Sequence, residues 1–177
     1  MVSDHILLSG VPEGFDATIL EKEAKKGGVI HIARDANRMQ SVHTALAFFA
    51  PNLPVYVFPA WDCLPFDRAS PSADISAARV ASLTAFMTQM PKSFVVLTTI
   101  AGACQRVPTR TTFKDAFFSA SLKTRVDEKG LRDFLIRMGF VQTSTVCDPG
   151  DYAIRGGIID IFPPGHDEPL RLDFFGD

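Results

Sequence analysis

The loop Gly10-Val11-Pro12-Glu13-Gly14 lies between an apolar run, Ile6-Leu7-Leu8-Ser9, and a helical pattern that begins at Phe15. In an α/β chain this is where backbone N–H groups and a helix N-terminus cradle phosphate. That chemistry needs the spacing G-x-x-x-x-G-K-[ST]: glycines for the tight loop, a lysine for the β- and γ-phosphates, a hydroxyl for magnesium. Counted from Gly10, the last three of those positions hold Phe15, Asp16 and Ala17. Asp16 puts a negative charge where a cation is needed, and Ala17 has no hydroxyl. Pro12 removes an N–H, and Glu13 adds repulsion. Gly10, Gly14, Phe15, Asp16 and Ala17 therefore have the position of a phosphate loop without its chemistry. They read as a plain strand-to-helix turn.

Nucleophilic and metal chemistry find no better footing. Cys63 with His31 or His43 as base would suit covalent catalysis, but nothing in the local sequence arranges such a pair. A lone cysteine in an aromatic loop reads as a small buried apolar residue. Cys63, Cys104 and Cys147 form no C-x-x-C pair and are odd in number, which speaks against a disulfide framework or a zinc site and for a reducing cytosol. The four histidines are scattered, and His31 lies inside an apolar strand, where it reads as a satisfied core or strand-end residue.

Two longer segments are more informative. Pro59-Ala60-Trp61-Asp62-Cys63-Leu64-Pro65-Phe66-Asp67-Arg68-Ala69-Ser70-Pro71 is a proline-rich connection with aromatic and acidic residues, of a length that commonly serves function. Further on, Gly150 to Gly165 and Leu170 to Phe175 alternate polar and apolar residues. Period two puts Arg171, Asp173 and Phe175 on one face and Leu170, Leu172 and Phe174 on the other. Arg155 ends its strand beside Gly156-Gly157, a pair that leaves the backbone open. Two arginines near an aromatic on an exposed sheet suit a protein partner.

The elements that hold these segments change character along the chain. Helical spacing predicts helices over 15–26, from Asp35 to about Phe49, and over 73–88 after Ser72 as N-cap. Apolar runs at 6–9, 29–33, 55–58 and 94–98 read as buried strands, so the first part is a parallel sheet covered by helices. Strands are then expected at 121–126, 141–146, 151–155, 158–162 and 170–174, with a helix over 128–138. That is an α+β domain of antiparallel strands. A boundary near residue 118 gives domains 1–118 and 119–177. The 46% hydrophobic and 21% charged composition excludes wholesale disorder, and the net charge of −2 excludes a uniformly basic nucleic-acid glove. Charge is uneven: residues 104–140 carry eight basic against four acidic residues, and residues 141–177 two against seven. The basic stretch 106–125, with Arg106, Arg110, Lys114, Lys123 and Arg125, is the alternative binding surface, for nucleic acid. No apolar run approaches a membrane span, and the start lacks the basic region of a signal peptide. The end follows directly on a strand-like run, so the chain reads as cut from a larger protein, with the second domain truncated.

The Pro59 to Asp67 segment, with Ser70-Pro71 and Arg79 in the following helix, resembles the amino-terminal region of the bacterial transcription-repair coupling factors, the Mfd family. Gly150-Asp151-Tyr152-Ala153-Ile154-Arg155-Gly156-Gly157-Ile158-Ile159-Asp160-Ile161-Phe162-Pro163 and Arg171-Leu172-Asp173-Phe174-Phe175-Gly176-Asp177 resemble the same family and its relative UvrB. Order and spacing agree from about Leu7 onward. The resemblance implies a helicase-like, P-loop-NTPase-like but degenerate domain over 1–118, then a UvrA-binding domain. It implies a parent that is an ATP-driven DNA translocase, which removes stalled RNA polymerase and recruits excision-repair proteins. The fragment itself would be non-catalytic, cytoplasmic and monomeric and hold no cofactor, with ATP and magnesium confined to the absent motor. RNA polymerase and DNA would be met only through absent domains. Carried over by position, the UvrA-facing residues are Arg155, Arg171 and Phe175. The 59–71 loop is shorter than UvrB's tyrosine-rich hairpin, and Tyr56 and Tyr152 are the only tyrosines, so lesion clamping is not expected.

Overall fold

In the computed structural model, which describes residues 5–64, 66, 68–88, 90–113, 116–121 and 125–175, two short strands flank a central one. Strands β1 (Val29–Ala33) and β2 (Val55–Phe58) both pair in parallel with β3 (Val95–Thr99), in the order β1-β3-β2. Every residue of β3 is buried, as a central parallel strand requires. Helices α1 (Phe15–Ala24) and α2 (Ala36–Phe49) set Ala17, Leu20, Met39, Val42 and Leu46 against Val95 and Leu97. Asp35 caps α2 by accepting the Arg38 N–H at 2.7 Å, and Thr99 starts the short α4 (Ile100–Cys104) by accepting the Gly102 N–H at 3.1 Å. Contacts divide the chain into one unit of Met1–Ala60 with Met90–Gln105 and another of Trp61–Gln89 with Arg106–Asp177.

The expected first strand is absent. Residues 6–9 take no regular structure, and Leu7 is 92% exposed. A four-residue apolar run forms a strand only where a neighbour pairs its backbone, and no described strand does so here. The glycine loop that follows is therefore an entry from irregular chain into α1 and not a strand-to-helix turn.

The second unit holds α3 (Ala73–Met87), capped by Ser72, and the one-turn α5 (Arg110–Phe113). After α6 (Glu128–Arg137) comes a sheet of β4 (Val141–Gln142), β5 (Asp151–Arg155), β6 (Ile158–Ile161) and β7 (Leu170–Asp173), in chain order. Leu131 and Leu135 of α6 pack on Tyr152, Ile159 and Ile161, with Phe134, Phe140, Leu172 and Phe174 around them. The sheet is mixed: β5, β6 and β7 are antiparallel as expected, but β4 runs parallel to β5. The strand expected over 141–146 stops at Gln142, because Asp151 accepts the N–H groups of Cys147 and Asp148 and turns the chain back. The strand expected over 121–126 includes 122–124, which lie outside the described residues. Leu170, on the face opposite Arg171 by alternation, is 41% exposed at the start of an edge strand.

Gly28 is needed for close approach: a Cβ there would stand 2.1 Å from the Phe94 ring. Gly28→Ala should lower unfolding stability by about 1–3 kcal/mol, read as a lower urea midpoint, and Phe94→Ala should remove most of that difference. An unchanged midpoint in Gly28→Ala would show that the ring is not held there.

Candidate partner-binding face

The register of the second sheet decides which side chains share a face. Arg155 pairs with Ile158 across a two-residue turn, Ala153 with Asp160, and Asp160 with Arg171. Paired residues point the same way, so Arg155, Asp160, Arg171 and Asp173 stand together on the face opposite the α6 core. The sequence pattern placed Arg171 and Asp173 on one face. It did not single out Asp160, whose place between the arginines follows only from the register.

Asp160 is the hub of this face. Its carboxylate accepts Arg171 Nε at 2.6 Å and Arg171 Nη2 at 2.9 Å, a fork-to-carboxylate geometry. The Arg171 side chain is 62% exposed and that of Asp160 only 15%. The Arg171 hydrogen bond, aided by the charges of Arg171 and Arg155, holds the Asp160 carboxyl below its ordinary pKa. The same hydrogen bond raises the Arg171 pKa. Arg155 donates from its guanidinium to the Ser144 carbonyl. Arg155, Asp160 and Arg171, with Thr145, Val146 and Leu170, line an open depression of about 450 Å³.

Phe175 sits at the edge of this group and is 70% exposed. Its N–H donates to Asp173 at 2.8 Å, and its ring lies over the glycine pair, where a Cβ on Gly157 would come within 3.0 Å of it. Gly156, at φ +62°, makes the tight hairpin turn between β5 and β6. The glycines thus do not leave the backbone open, as the sequence suggested; they seat the aromatic ring.

The glycine loop at residues 10–14 is closed by its own charges. Gly14, at φ +87°, is the N-cap of α1 and offers no side-chain cap. Arg38, reaching from α2, donates to Asp16 at 2.5 Å and to Glu13 at 3.2 Å. A cation is present near the loop, but two carboxylates already engage it. Gly10 has φ +67°, Phe15 is 53% exposed, and Ala17 is fully buried. His31 departs from its expected role: its Nε2 is buried without a hydrogen-bond partner. Burial holds its pKa below the ordinary value; Asp16 works to raise it and Arg38 to lower it.

The proline-rich segment is tied down internally. The Arg79 guanidinium stacks 4.2 Å from the Trp61 ring centroid, and Arg79 is 2% exposed. Asp62 accepts the Ser72 N–H at 3.2 Å through each oxygen and so holds the cap of α3. Pro65 and Asp67 lie outside the described residues. Of the basic stretch, Arg106, Arg110 and Arg125 are exposed, and Lys114 and Lys123 lie outside the described residues. Among the described residues no cluster of His, Cys, Asp or Glu could hold a metal ion, and no helix is long and apolar enough to cross a membrane.

Comparison with known proteins adds a family to this geometry. Residues 119–177 match the family model described as the UvrB interaction domain. The chain is 30% identical over 161 residues to a transcription-repair-coupling factor of Escherichia coli (strain K12), covering 91% of this chain and 14% of that protein. It is 29% identical over 180 residues to that of Haemophilus influenzae, covering 99% and 15%. With that of Rickettsia prowazekii it shares 29% identity over 156 residues, covering 88% and 14%. The chain thus spans about one seventh of the length of these relatives.

The lowered His31 pKa fixes the sign of one pH effect. The unfolded chain binds a proton at higher pH than the fold does, so stability is full above the ordinary histidine value of about 6.5 and falls as pH drops below it. His31→Gln should flatten this slope between about pH 6.5 and 5, measured as the urea midpoint against pH. An identical slope in wild type and variant would assign the effect to other groups.

Proposed function

We propose that this chain, similar to transcription-repair-coupling factors along most of its length and matching the UvrB interaction domain model over 119–177, is the UvrB-like amino-terminal part of such a factor. It recruits UvrA through Arg155, Arg171 and Phe175, in transcription-coupled nucleotide excision repair. The observation that carries this reading is the exposed Phe175, seated on Gly156-Gly157 beside two arginines on the face of the sheet that α6 does not cover. An aromatic anchor filling a pocket, flanked by guanidinium forks that pair with carboxylates, is a hot-spot combination.

The three-stranded unit is read as a degenerate helicase-like domain, with the second domain starting near residue 119. Arg38 occupies the acids of the glycine loop, and no lysine or hydroxyl stands where a nucleotide needs them. The fragment acts by binding and not by catalysis. ATP-driven translocation on DNA and displacement of RNA polymerase belong to parts of the parent outside this chain. The module positions a repair protein where that motor has stopped.

Arg171→Ala should weaken binding of purified UvrA by about thirtyfold in a calorimetric titration, with the fold preserved by circular dichroism. Unchanged affinity would remove this face from the interface. Should the exposed arginines at 106, 110 and 125 instead serve nucleic acid, the chain would bind duplex DNA with an affinity falling steeply with salt; no such binding is expected.

A further inference from the structure

The arginines of this face reach it from different supports. Arg155 ends β5 and is held by the Ser144 carbonyl. Arg171 lies on the edge strand β7, with a long side chain mostly in solvent. Left alone, such a side chain samples many rotamers and must lose that freedom to bind. Asp160 does not share this mobility. It sits in β6, between β5 and β7, opposite the buried Ala153 on one side and Arg171 on the other.

We propose that Asp160 is the positioning residue of the partner-binding face: it holds the Arg171 guanidinium in one orientation, with the rest of its fork presented beside Arg155 and Phe175. The inference rests on the reading of this face as the UvrA site. Nε–H and one Nη2–H are engaged by the carboxylate, so three of the five guanidinium N–H groups are not spent on Asp160. Both ends of the pair stand on paired strands, so the fork is set before a partner arrives. Pre-ordering of this kind raises affinity without adding a contact.

Two effects of Asp160 oppose each other. Its negative charge between two arginines weakens the attraction of the face for an acidic partner, whereas its hold on Arg171 favours binding. Salt weakens both effects, but the attraction of the face for a partner acts over distances comparable to the Debye length of about 8 Å at physiological salt, whereas the Asp160–Arg171 hydrogen bonds act at 2.6 and 2.9 Å and are screened less. Orientation should therefore dominate at physiological salt, and more strongly above it. Lysine at 171 would keep the charge but has no fork to lay against both carboxylate oxygens.

The test is calorimetric titration of the chain with purified UvrA at low, physiological and raised salt. The variants are Asp160→Asn, Arg171→Lys, Arg171→Ala and the double variant Asp160→Asn with Arg171→Ala. Asp160→Asn and Arg171→Lys are each expected to weaken binding about tenfold at physiological salt, the Asp160→Asn deficit widening as salt rises. In the Arg171→Ala background, Asp160→Asn should add nothing. Wild-type affinity in Asp160→Asn and Arg171→Lys, with Arg171→Ala still weakened, would overturn the positioning role and leave the UvrA face standing. Additive losses in the double variant would overturn it too, since Asp160 would then act apart from Arg171. Unchanged affinity in Arg171→Ala would remove the face itself and this inference with it.

Discussion

The pairing of Asp160 with Arg171 depends on the register of three antiparallel strands, and that register depends on the turn at Gly156-Gly157. With Arg155 set opposite Ile158, each later pair is fixed, down to Ile161 opposite Leu170. A slip of one residue would send Asp160 and Arg171 toward the α6 core and Ile159 and Leu172 into solvent. The burial of Ile159 and Leu135 therefore protects the charged face as much as it stabilises the domain. The same glycine pair that sets the register also leaves room for the Phe175 ring. One tight turn thus fixes the placement of all three predicted contact residues.

The other unit shows the converse, a helix N-terminus faced by the chain's own charged side chains. The glycine loop enters α1 with Gly14 in a left-handed conformation, but Asp16 and Glu13 draw in Arg38. An anion approaching this helix N-terminus would have to displace those carboxylates. The Trp61–Arg79 stack and the Asp62–Ser72 bonds likewise commit the residues of the proline-rich segment to internal ties.

What could be read from the residues was the part set by local chemistry. The caps at Asp35 and Ser72 and the helical spacing behind them act within a turn or two, and α2 and α3 form where they indicate. Period two likewise placed Arg171 and Asp173 on one face. Asp160 was hidden, because a strand's alternation says which side a residue faces and not what stands across from it. The exposed run at 6–9 shows that limit from the other direction: apolarity without a pairing neighbour gave no strand. His31 lay in a strand as expected, yet its place in the alternation did not show that its Nε2 would be buried without a partner. Trp61 and Arg79 lie eighteen positions apart, a span across which neither helical nor strand periodicity carries information.

The proposed docking site for UvrA is the face carrying Arg155, Asp160, Arg171 and Phe175. Amide hydrogen exchange of the chain, with and without saturating UvrA, tests it most directly. Slowed exchange concentrated over residues 153–160 and 170–175 is the predicted result. Protection confined to the glycine loop at 10–17 or to the basic segment from 106 to 113, with the second sheet unchanged, would contradict it.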